Sequence, residues 1–285
     1  MTATDGKVTQ AAPAKINLTL HVTGQRADGY HLLDSLVIFT SLGDEITVTS
    51  SDTLSLTVTG PFAAGLSNGD DNLVMRAARL MTHDRGAAIT LHKNLPVASG
   101  IGGGSADAAA TLFALSQLWQ VPLPDWDAIT ALGADVALCL SREVSHMRGI
   151  GDDISLIGPS PMLDVLLVNP GVGVSTPEVF SALVNKSNAA MPDTMPDPFD
   201  TDNWIDWIAL QRNDLEGPAT TMVPQIADVL AALRAQNGCR LARMSGSGAT
   251  CFALFDDFEN CAAAKTALRR AQPDWWVAQT DEAPT

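Results

Sequence analysis

The segment Leu95–Ala110, LPVASGIGGGSADAAA, brings four glycines and a serine directly before an alanine-rich helical pattern. An apolar alternation through Ile89 and Leu91 precedes it, so the order is strand, glycine loop, helix. Glycines let backbone N–H groups approach a ligand closely, and the dipole and unpaired N–H groups of a helix N-terminus favour an anion. The segment therefore predicts a phosphate-binding loop.

Spacing separates this loop from better-known phosphate loops. A Walker loop needs a Lys-Ser/Thr pair after its last glycine, but Ser105-Ala106-Asp107 follows Gly104. The glycines also fit the GxGxxG spacing of a dinucleotide-binding loop poorly. A glycine turn without a ligand is the alternative interpretation, although three consecutive glycines before a sound helix cost conformational entropy.

A second glycine turn, SGSG at Ser245–Gly248, lies between strand patterns at Arg240–Met244 and Thr250–Phe255. Alone, such a sequence is most often only a hairpin turn. Together with the first loop, it would close over the phosphates of a nucleotide from the other half of the chain.

Two charged residues stand in unusual settings. Asp135 lies in a Gly-Ala-Asp-Val context among apolar neighbours, where a solvated carboxylate is not expected. Asp135 could serve as the N-cap of a helix beginning at Val136, and this structural role would be compatible with a chemical one. Lys15 lies on a strand pattern, on the same face as Asn17 and Thr19. A lone lysine on a strand is usually a solvated edge charge.

Tyr30 is the only tyrosine of the chain and lies in the polar segment Gly24–His31. An aromatic residue in such a loop favours a binding role, although a tyrosine that caps the core is the alternative. His83 and His92 have the pattern of surface residues, and His21 and His146 carry no readable signal.

Composition limits the function classes. The 285 residues are 46% apolar and 17% charged, which suits one large soluble domain or two ordinary ones. A net charge of −15 argues against nucleic acid or an anionic membrane as partner, so any bound anion should be small. No long apolar run and no secretion signal is present, so we expect a cytoplasmic protein with its four cysteines reduced and inert.

The patterning predicts two α+β domains, residues 1–158 and 159–285, that meet at a cleft. The second half begins around Pro159–Pro161, and an aperiodic stretch predicts a surface loop at Asn188–Asp202. The predicted strands are Pro13–Val22, two within Glu45–Val58, Asp164–Val168 and Trp275–Gln279, and the predicted helices are Asn72–His83, Trp126–Leu132 and Ile226–Gln236.

Four motifs carry a family resemblance: PAKINLTLHVTGQRADGYH at Pro13–His31, LPVASGIGGGSADAA at Leu95–Ala109, LGADVALCL at Leu132–Leu140 and MSGSGATCFALF at Met244–Phe255. Their order and spacing resemble the galactokinase, homoserine kinase, mevalonate kinase and phosphomevalonate kinase (GHMP) superfamily. The first motif is specific, and resembles the branch that acts in the non-mevalonate isoprenoid pathway.

The resemblance implies an N-terminal domain like ribosomal protein S5 domain 2 and a ferredoxin-like C-terminal domain. It also implies that the γ-phosphate of ATP, with Mg²⁺, passes to the 2-hydroxyl of a cytidyl diphosphate sugar alcohol, 4-diphosphocytidyl-methylerythritol. Other kinases of the superfamily, of mevalonate or homoserine type, and a binding protein that has lost activity are the alternatives.

The resemblance also assigns roles to residues. Asp135 would be the catalytic base, with Lys15 beside it to orient the carboxylate and neutralise charge. Tyr30 and Phe180 would stack on cytosine, His31 would bond its edge, and Asn17 and Thr176 would contact the substrate. The second glycine turn would contribute Gly246, Ser247 and Gly248. The ATP loop would comprise Pro96, Val97, Ala98, Ser99, Gly100, Ile101, Gly102, Gly103, Gly104, Ser105 and Ala106.

Two departures from the family pattern affect these roles. Ala106 stands where the glycine motif usually has a second serine, so one hydroxyl near the phosphates is missing and the metal ligands are not identified. Ala137 stands where a proline often follows Gly-Ala-Asp-Val. Neither change removes a catalytic group.

Overall fold

A computed structural model describes residues 6–81, 85–158 and 161–281. The predicted surface residue His83 and the proposed boundary residue Pro159 lie outside these ranges. No helix in the described part of the chain is long and apolar enough to cross a membrane.

The strands are β1 (Lys7–Asn17), β2 (His21–Gln25), β3 (His31–Ser51), β4 (Ser55–Thr59), β5 (Gly86–His92), β6 (Ser145–Gly149), β7 (Asp153–Leu156), β8 (Asp164–Asn169), β9 (Cys239–Met244), β10 (Cys251–Phe255) and β11 (Trp276–Thr280). The helices are α1 (Leu73–Met81), α2 (Gly103–Trp119), α3 (Trp126–Leu132), α4 (Ala134–Ser141), α5 (Thr176–Ser181), α6 (Thr201–Ala209), α7 (Glu216–Met222), α8 (Gln225–Arg234) and α9 (Phe258–Ala271).

The chain divides into two compact units that each draw on separate stretches. The first comprises residues up to Ala14, Leu42–Val97 and Gly102–Arg142, and the second comprises Lys15–Ser41, Ala98–Ile101 and the chain from Glu143 onwards. This interleaved division differs from the predicted single boundary between residues 158 and 159. That sequential boundary stays a prediction.

In the first unit, the second half of β3 pairs antiparallel with β5, and β4 pairs parallel with β5. Helix α2 contacts α1 and α4. The sequence predicts one apolar face for this helix, but its buried residues also include Ala106, Asp107 and Ala110. A helix that is apolar around most of its circumference is buried by several neighbours rather than by one surface.

In the second unit, the first half of β3 pairs with β2 and with β6, and β6 pairs with β7. A four-stranded antiparallel sheet has the order β11-β8-β10-β9, and α8 and α9 pack on its strands. Leu20 and Val22 join a buried core cluster whose other buried members lie between Leu166 and Val277. The Pro13–Val22 pattern, predicted as one strand, is split because Leu20 N–H donates to Arg212 O instead of continuing a ladder.

Candidate active site

The first part of the glycine loop is held by hydrogen bonds to its backbone carbonyl groups within the second unit. Ser99 O accepts a hydrogen bond from Thr250 N (3.0 Å), and Gly100 O accepts one from Ser245 Oγ (3.1 Å). Gly100 has φ +77°, and a Cβ there would lie 2.5 Å from Ser245 O. Only glycine fits this left-handed, closely packed position.

The SGSG turn is the partner of that loop segment. A Cβ on Gly246 would lie 2.7 Å from Gly100 O, so the two backbones are in direct contact. The Asn213 amide braces the turn by donating to Met244 O and Gly246 O, both at 2.8 Å. The Ser99–Ile101 part of the first predicted phosphate loop and the second predicted loop are therefore neighbours.

The rest of the glycine motif starts helix α2 in the first unit. Gly102 is the N-cap with φ +67° and provides no side-chain cap, so the first N–H groups of the helix lack that common partner. Gly104 is exposed, and a Cβ on it would meet nothing within 4 Å. Pro96 is buried, Val97 is exposed and Ser105 is half-buried. This uncapped helix N-terminus suits a phosphate.

Lys15 and Asn17 lie at the end of β1, in the second unit. Lys15 is only 5% exposed, so it is not the solvated edge charge that a lone strand lysine usually is, and its backbone N–H donates to Ile101 O (2.9 Å). Asn17 Nδ2 donates to Ser35 Oγ (2.8 Å), and the Asn17 backbone N–H donates to Ser245 Oγ (3.1 Å).

The amide oxygen of Asn17 is buried and has no hydrogen-bond partner among the described residues. Buried polar atoms without a hydrogen bond are rare, because burial removes their hydrogen bonds to water without replacing them. Asn17 Oδ1 therefore marks a place where a ligand donor would be accommodated.

Around His31 the structure forms an aromatic stack. The centroids of the His31 and Phe180 rings lie 4.9 Å apart, with 26° between the ring planes, and His31 Nε2 is buried with no hydrogen-bond partner in residues 6–81, 85–158 and 161–281. Burial and the nearby Lys186 charge lower the pKa of His31, which favours the neutral ring. Tyr30 is 62% exposed in the β2–β3 turn, which does not fit a tyrosine that caps the core.

Thr176 connects this stack to the glycine turn. Its Oγ1 shares a 2.7 Å hydrogen bond with Ser247 Oγ, and Phe180 lies one turn later on the same helix, α5. Within the second unit, the predicted base-binding residues and the SGSG turn therefore belong to one connected network.

Asp135 lies in the first unit, at the second position of α4. The N-cap of this helix is Gly133, so Asp135 is not the cap that a helix starting at Val136 would need. Its side chain is half-buried. An acidic residue in the first turn is also favoured by the helix dipole.

Some residues of these networks were not found from the sequence. Ser35 connects Asn17 Nδ2 to Thr19 O, and Asn213 holds the SGSG turn. Both are polar residues far along the chain from their partners, and no local motif marks them. A buried ionic cluster of Asp44, Lys93 and Asp107 was also missed.

The described residues also bear on metal binding and on the state of the cysteines. Among the described residues, no group of three or more His, Cys, Asp or Glu side chains is arranged to hold a metal ion. None of the four cysteines is in a disulfide; three are buried and Cys239 is half-buried. Burial raises the pKa of Cys261 to about 12, so this thiol stays protonated.

Comparison with known proteins gives consistent results. The family described as GHMP kinases N terminal domain matches residues 72–157, and GHMP kinases C terminal matches residues 200–274. A 4-diphosphocytidyl-2-C-methyl-D-erythritol kinase of Cereibacter sphaeroides is 55% identical over 267 residues, which are 93% of this chain and 96% of the relative.

Solved structures extend the similarity. A crystal structure of 4-(cytidine 5'-diphospho)-2C-methyl-D-erythritol kinase superposes with a TM-score of 0.79 at 32% identity, covering 97% of this chain and all of the other. Homoserine kinase from Cytophaga hutchinsonii superposes with a TM-score of 0.70 at 20% identity, covering 99% and 96% of the two chains. At that identity the second similarity shows the fold alone.

Proposed function

The chain belongs to the GHMP kinase family, in the branch of the 4-diphosphocytidyl-2-C-methyl-D-erythritol kinases, and we propose that it phosphorylates the 2-hydroxyl of that cytidyl substrate with ATP. The fold is the α+β fold of this family, and the enzyme is a kinase of small molecules. Its reaction belongs to the non-mevalonate route to isoprenoid precursors.

One observation carries the substrate assignment: the stack of His31 on Phe180, with a buried His31 Nε2 that has no hydrogen-bond partner in the described part of the chain. A neutral imidazole nitrogen at the edge of an aromatic stack can form a hydrogen bond with the edge of a base, while an aromatic ring of the stack packs against the face of that base. Tyr30, exposed beside His31, supplies a further ring. We assign these three residues to cytosine.

The phosphate-binding role of the glycine residues rests on their backbone. The N–H groups at the start of α2, which no side chain caps, and the absence of a side chain at Gly104 allow phosphate oxygens to approach closely. Residues 96–106 and Gly246–Gly248 are assigned to ATP and to the transferred phosphate. The net charge of −15 makes this local attraction necessary, because the protein as a whole repels anions.

We assign the proton transfer to Asp135 and charge neutralisation to Lys15. Phosphoryl transfer needs a group that accepts the proton of the attacking hydroxyl and cations that stabilise charge on the phosphoryl oxygens. The buried Lys15 ammonium can serve as such a cation, and Asn17 Oδ1 can accept a hydroxyl hydrogen of the substrate. Thr176 is assigned to the substrate as a neighbour of Phe180.

Mg²⁺ is the expected companion of ATP, because it would neutralise negative charge on the phosphate oxygens. The described residues offer isolated oxygen donors such as Ser105 but no ligand cluster. This donor set fits an ion that is held mainly by the nucleotide, with few protein ligands.

The alternatives differ in what they require. A kinase of homoserine or mevalonate type needs no aromatic stack for a base, and an inactive binding protein needs no carboxylate at Asp135. The experiment is an assay of ADP release with the cytidyl substrate, mevalonate and homoserine, each at the same concentration.

We expect ADP release only with the cytidyl substrate, together with a product phosphorylated at the 2-hydroxyl. Turnover of mevalonate or homoserine would replace the substrate assignment. Binding of the cytidyl substrate without any ADP release would favour the inactive binding protein.

A further inference from the structure

A buried ionic cluster lies under the glycine loop in the first unit. Lys93 Nζ donates to Asp44 Oδ2 and, at 2.8 Å, to Asp107 Oδ2. All three side chains are at most 4% exposed. Removing charged groups from water is costly unless they are paired, so such a cluster stays in a fold where its geometry is used or well compensated.

The cluster connects both ends of the glycine loop. On the entry side, Asp44 Oδ1 accepts hydrogen bonds from the backbone N–H groups of Asn94 (2.5 Å) and Leu95 (2.8 Å). On the exit side, Asp107 lies in the second turn of α2, and Lys93 Nζ bridges the two carboxylates. The glycine residues have no side chains of their own to fix the loop, so these anchors fix its two ends, while hydrogen bonds from Thr250 and Ser245 hold Ser99 and Gly100 between them.

Lys93 also approaches the loop backbone itself. A Cβ on Gly103, the first residue of α2, would lie 3.0 Å from Lys93 Nζ and 3.6 Å from Asp44 Oδ2. The ammonium therefore lies directly against the helix turn whose N–H groups are assigned to phosphate. A side chain at residue 103 would therefore crowd Lys93 Nζ, so the cluster packs closely against that turn.

The charges of the cluster are unbalanced when both carboxylates are ionised. Burial raises the pKa of Asp107 to about 7, with Lys93 opposing this and Asp44 adding to it. Asp107 Oδ1 is buried and accepts no hydrogen bond from any residue that the structure describes. A neutral group at position 107 that keeps one oxygen for Lys93 is therefore compatible with the cluster, and this makes an amide substitution informative.

We propose that Asp107 is a positioning residue for the nucleotide: through Lys93 and Asp44 it fixes the two ends of the glycine loop so that its N–H groups face the phosphates of ATP. Asp107 does not touch the nucleotide. The inference rests on the proposed kinase function, and it adds the cluster to the residues that set the affinity for ATP.

The test compares Asp107→Ala with Asp107→Asn. The alanine variant breaks the link to α2 but leaves Lys93 paired with Asp44, so it is expected to fold. The asparagine variant keeps an oxygen that accepts from Lys93 Nζ. Asp257→Ala, which removes the N-cap of α9 in the second unit, controls for a general loss of stability.

For Asp107→Ala we expect the KM for ATP to rise at least about tenfold, with kcat at saturating ATP and the KM for the cytidyl substrate within about threefold. Asp107→Asn should stay within about threefold of the wild type in the KM for ATP, and so should Asp257→Ala. Without any ligand, amide hydrogen exchange at residues 94–106 should accelerate in Asp107→Ala only.

A folded Asp107→Ala protein with wild-type KM for ATP and wild-type exchange would overturn the proposal. Equal effects on the KM values of both substrates would also overturn it, as would equal damage from the asparagine and alanine variants. Failure of the kinase assignment has a different signature, because wild-type protein would then release no ADP while the exchange measurement would still report on the cluster.

Discussion

Gly104 offers a sharp test of the phosphate assignment, because the protein itself gives no reason for a glycine there. It is the second residue of α2, its φ is not left-handed, and a Cβ would meet no atom within 4 Å. Glycine within a helix is less stable than alanine by up to about 1 kcal/mol. The open space above this residue is where we place a phosphate of ATP.

Gly104→Ala should therefore separate stability from binding. The free energy of unfolding should rise by about 0.5–1 kcal/mol, which corresponds to roughly 1–4 °C in Tm. The added methyl group would push a phosphate oxygen away from the helix N–H groups. Loss of one hydrogen bond to a charged group costs about 1.5–3 kcal/mol, so the Kd for ATP should rise about 10- to 100-fold.

The measurements are calorimetric titration with a non-hydrolysable ATP analogue and thermal unfolding without ligand. Gly217→Ala is the matched control, because Gly217 is also the second residue of a helix, α7, with open space around its Cβ. Its stability gain will be smaller because Pro218 follows, so this control is read on ATP affinity, which should not change. A more stable Gly104→Ala protein with unaltered ATP affinity would refute the placement of phosphate at this turn.

Three further predictions address the chemistry and the base. Asp135→Asn should lower kcat by about 10²–10⁴ while leaving the Kd of both substrates within a few-fold, and a stopped-flow rate near that of the wild type would remove Asp135 as the base. Tyr30→Ala should weaken the cytidyl substrate by about 1–3 kcal/mol in calorimetry but leave ATP affinity unchanged, whereas equal losses would place the tyrosine in the scaffold. The folded-state pKa of His31 is lowered below its usual value of about 6.5, so the neutral ring dominates at pH 7. Protonation of the ring as the pH falls through that pKa should weaken binding of the cytidyl substrate. Affinity measured between about pH 8 and pH 5 should fall for the wild type and stay constant for His31→Gln.

The extent to which the fold could be predicted depended on how local the signal is. Helix α3 has the predicted bounds, Trp126–Leu132, because Asp125 caps it and Gly133 ends it. Strand β3 was predicted only in part, as the first of the two strands within Glu45–Val58, whereas it begins at His31 and passes through Gly43. In the structure a Cβ on Gly43 would lie 2.3 Å from Ala12 O, so this glycine permits a close approach of β1.

The site residues also differ in how local their sequence signal is. The glycine loop and the SGSG turn were recognisable because each is contiguous and each needs glycine for its backbone geometry. Ser35 and Asn213 were not, since each contributes through a partner distant in sequence, and a buried serine or asparagine has no distinctive pattern. Lys93 looked like the end of a strand, and only the fold shows that two carboxylates surround it.

The interleaving of the two units has a consequence for the order of events during synthesis. Every stretch of the first unit has been synthesised once Arg142 is added, but the other buried members of the described core cluster that contains Leu20 and Val22 lie between residues 166 and 277. At roughly 5–20 residues per second, synthesis from Arg142 to Val277 takes about 7–27 seconds. During this time the nascent segment Lys15–Ser41 must remain soluble without its long-range partners, so chaperone dependence in cells should concentrate on the second unit.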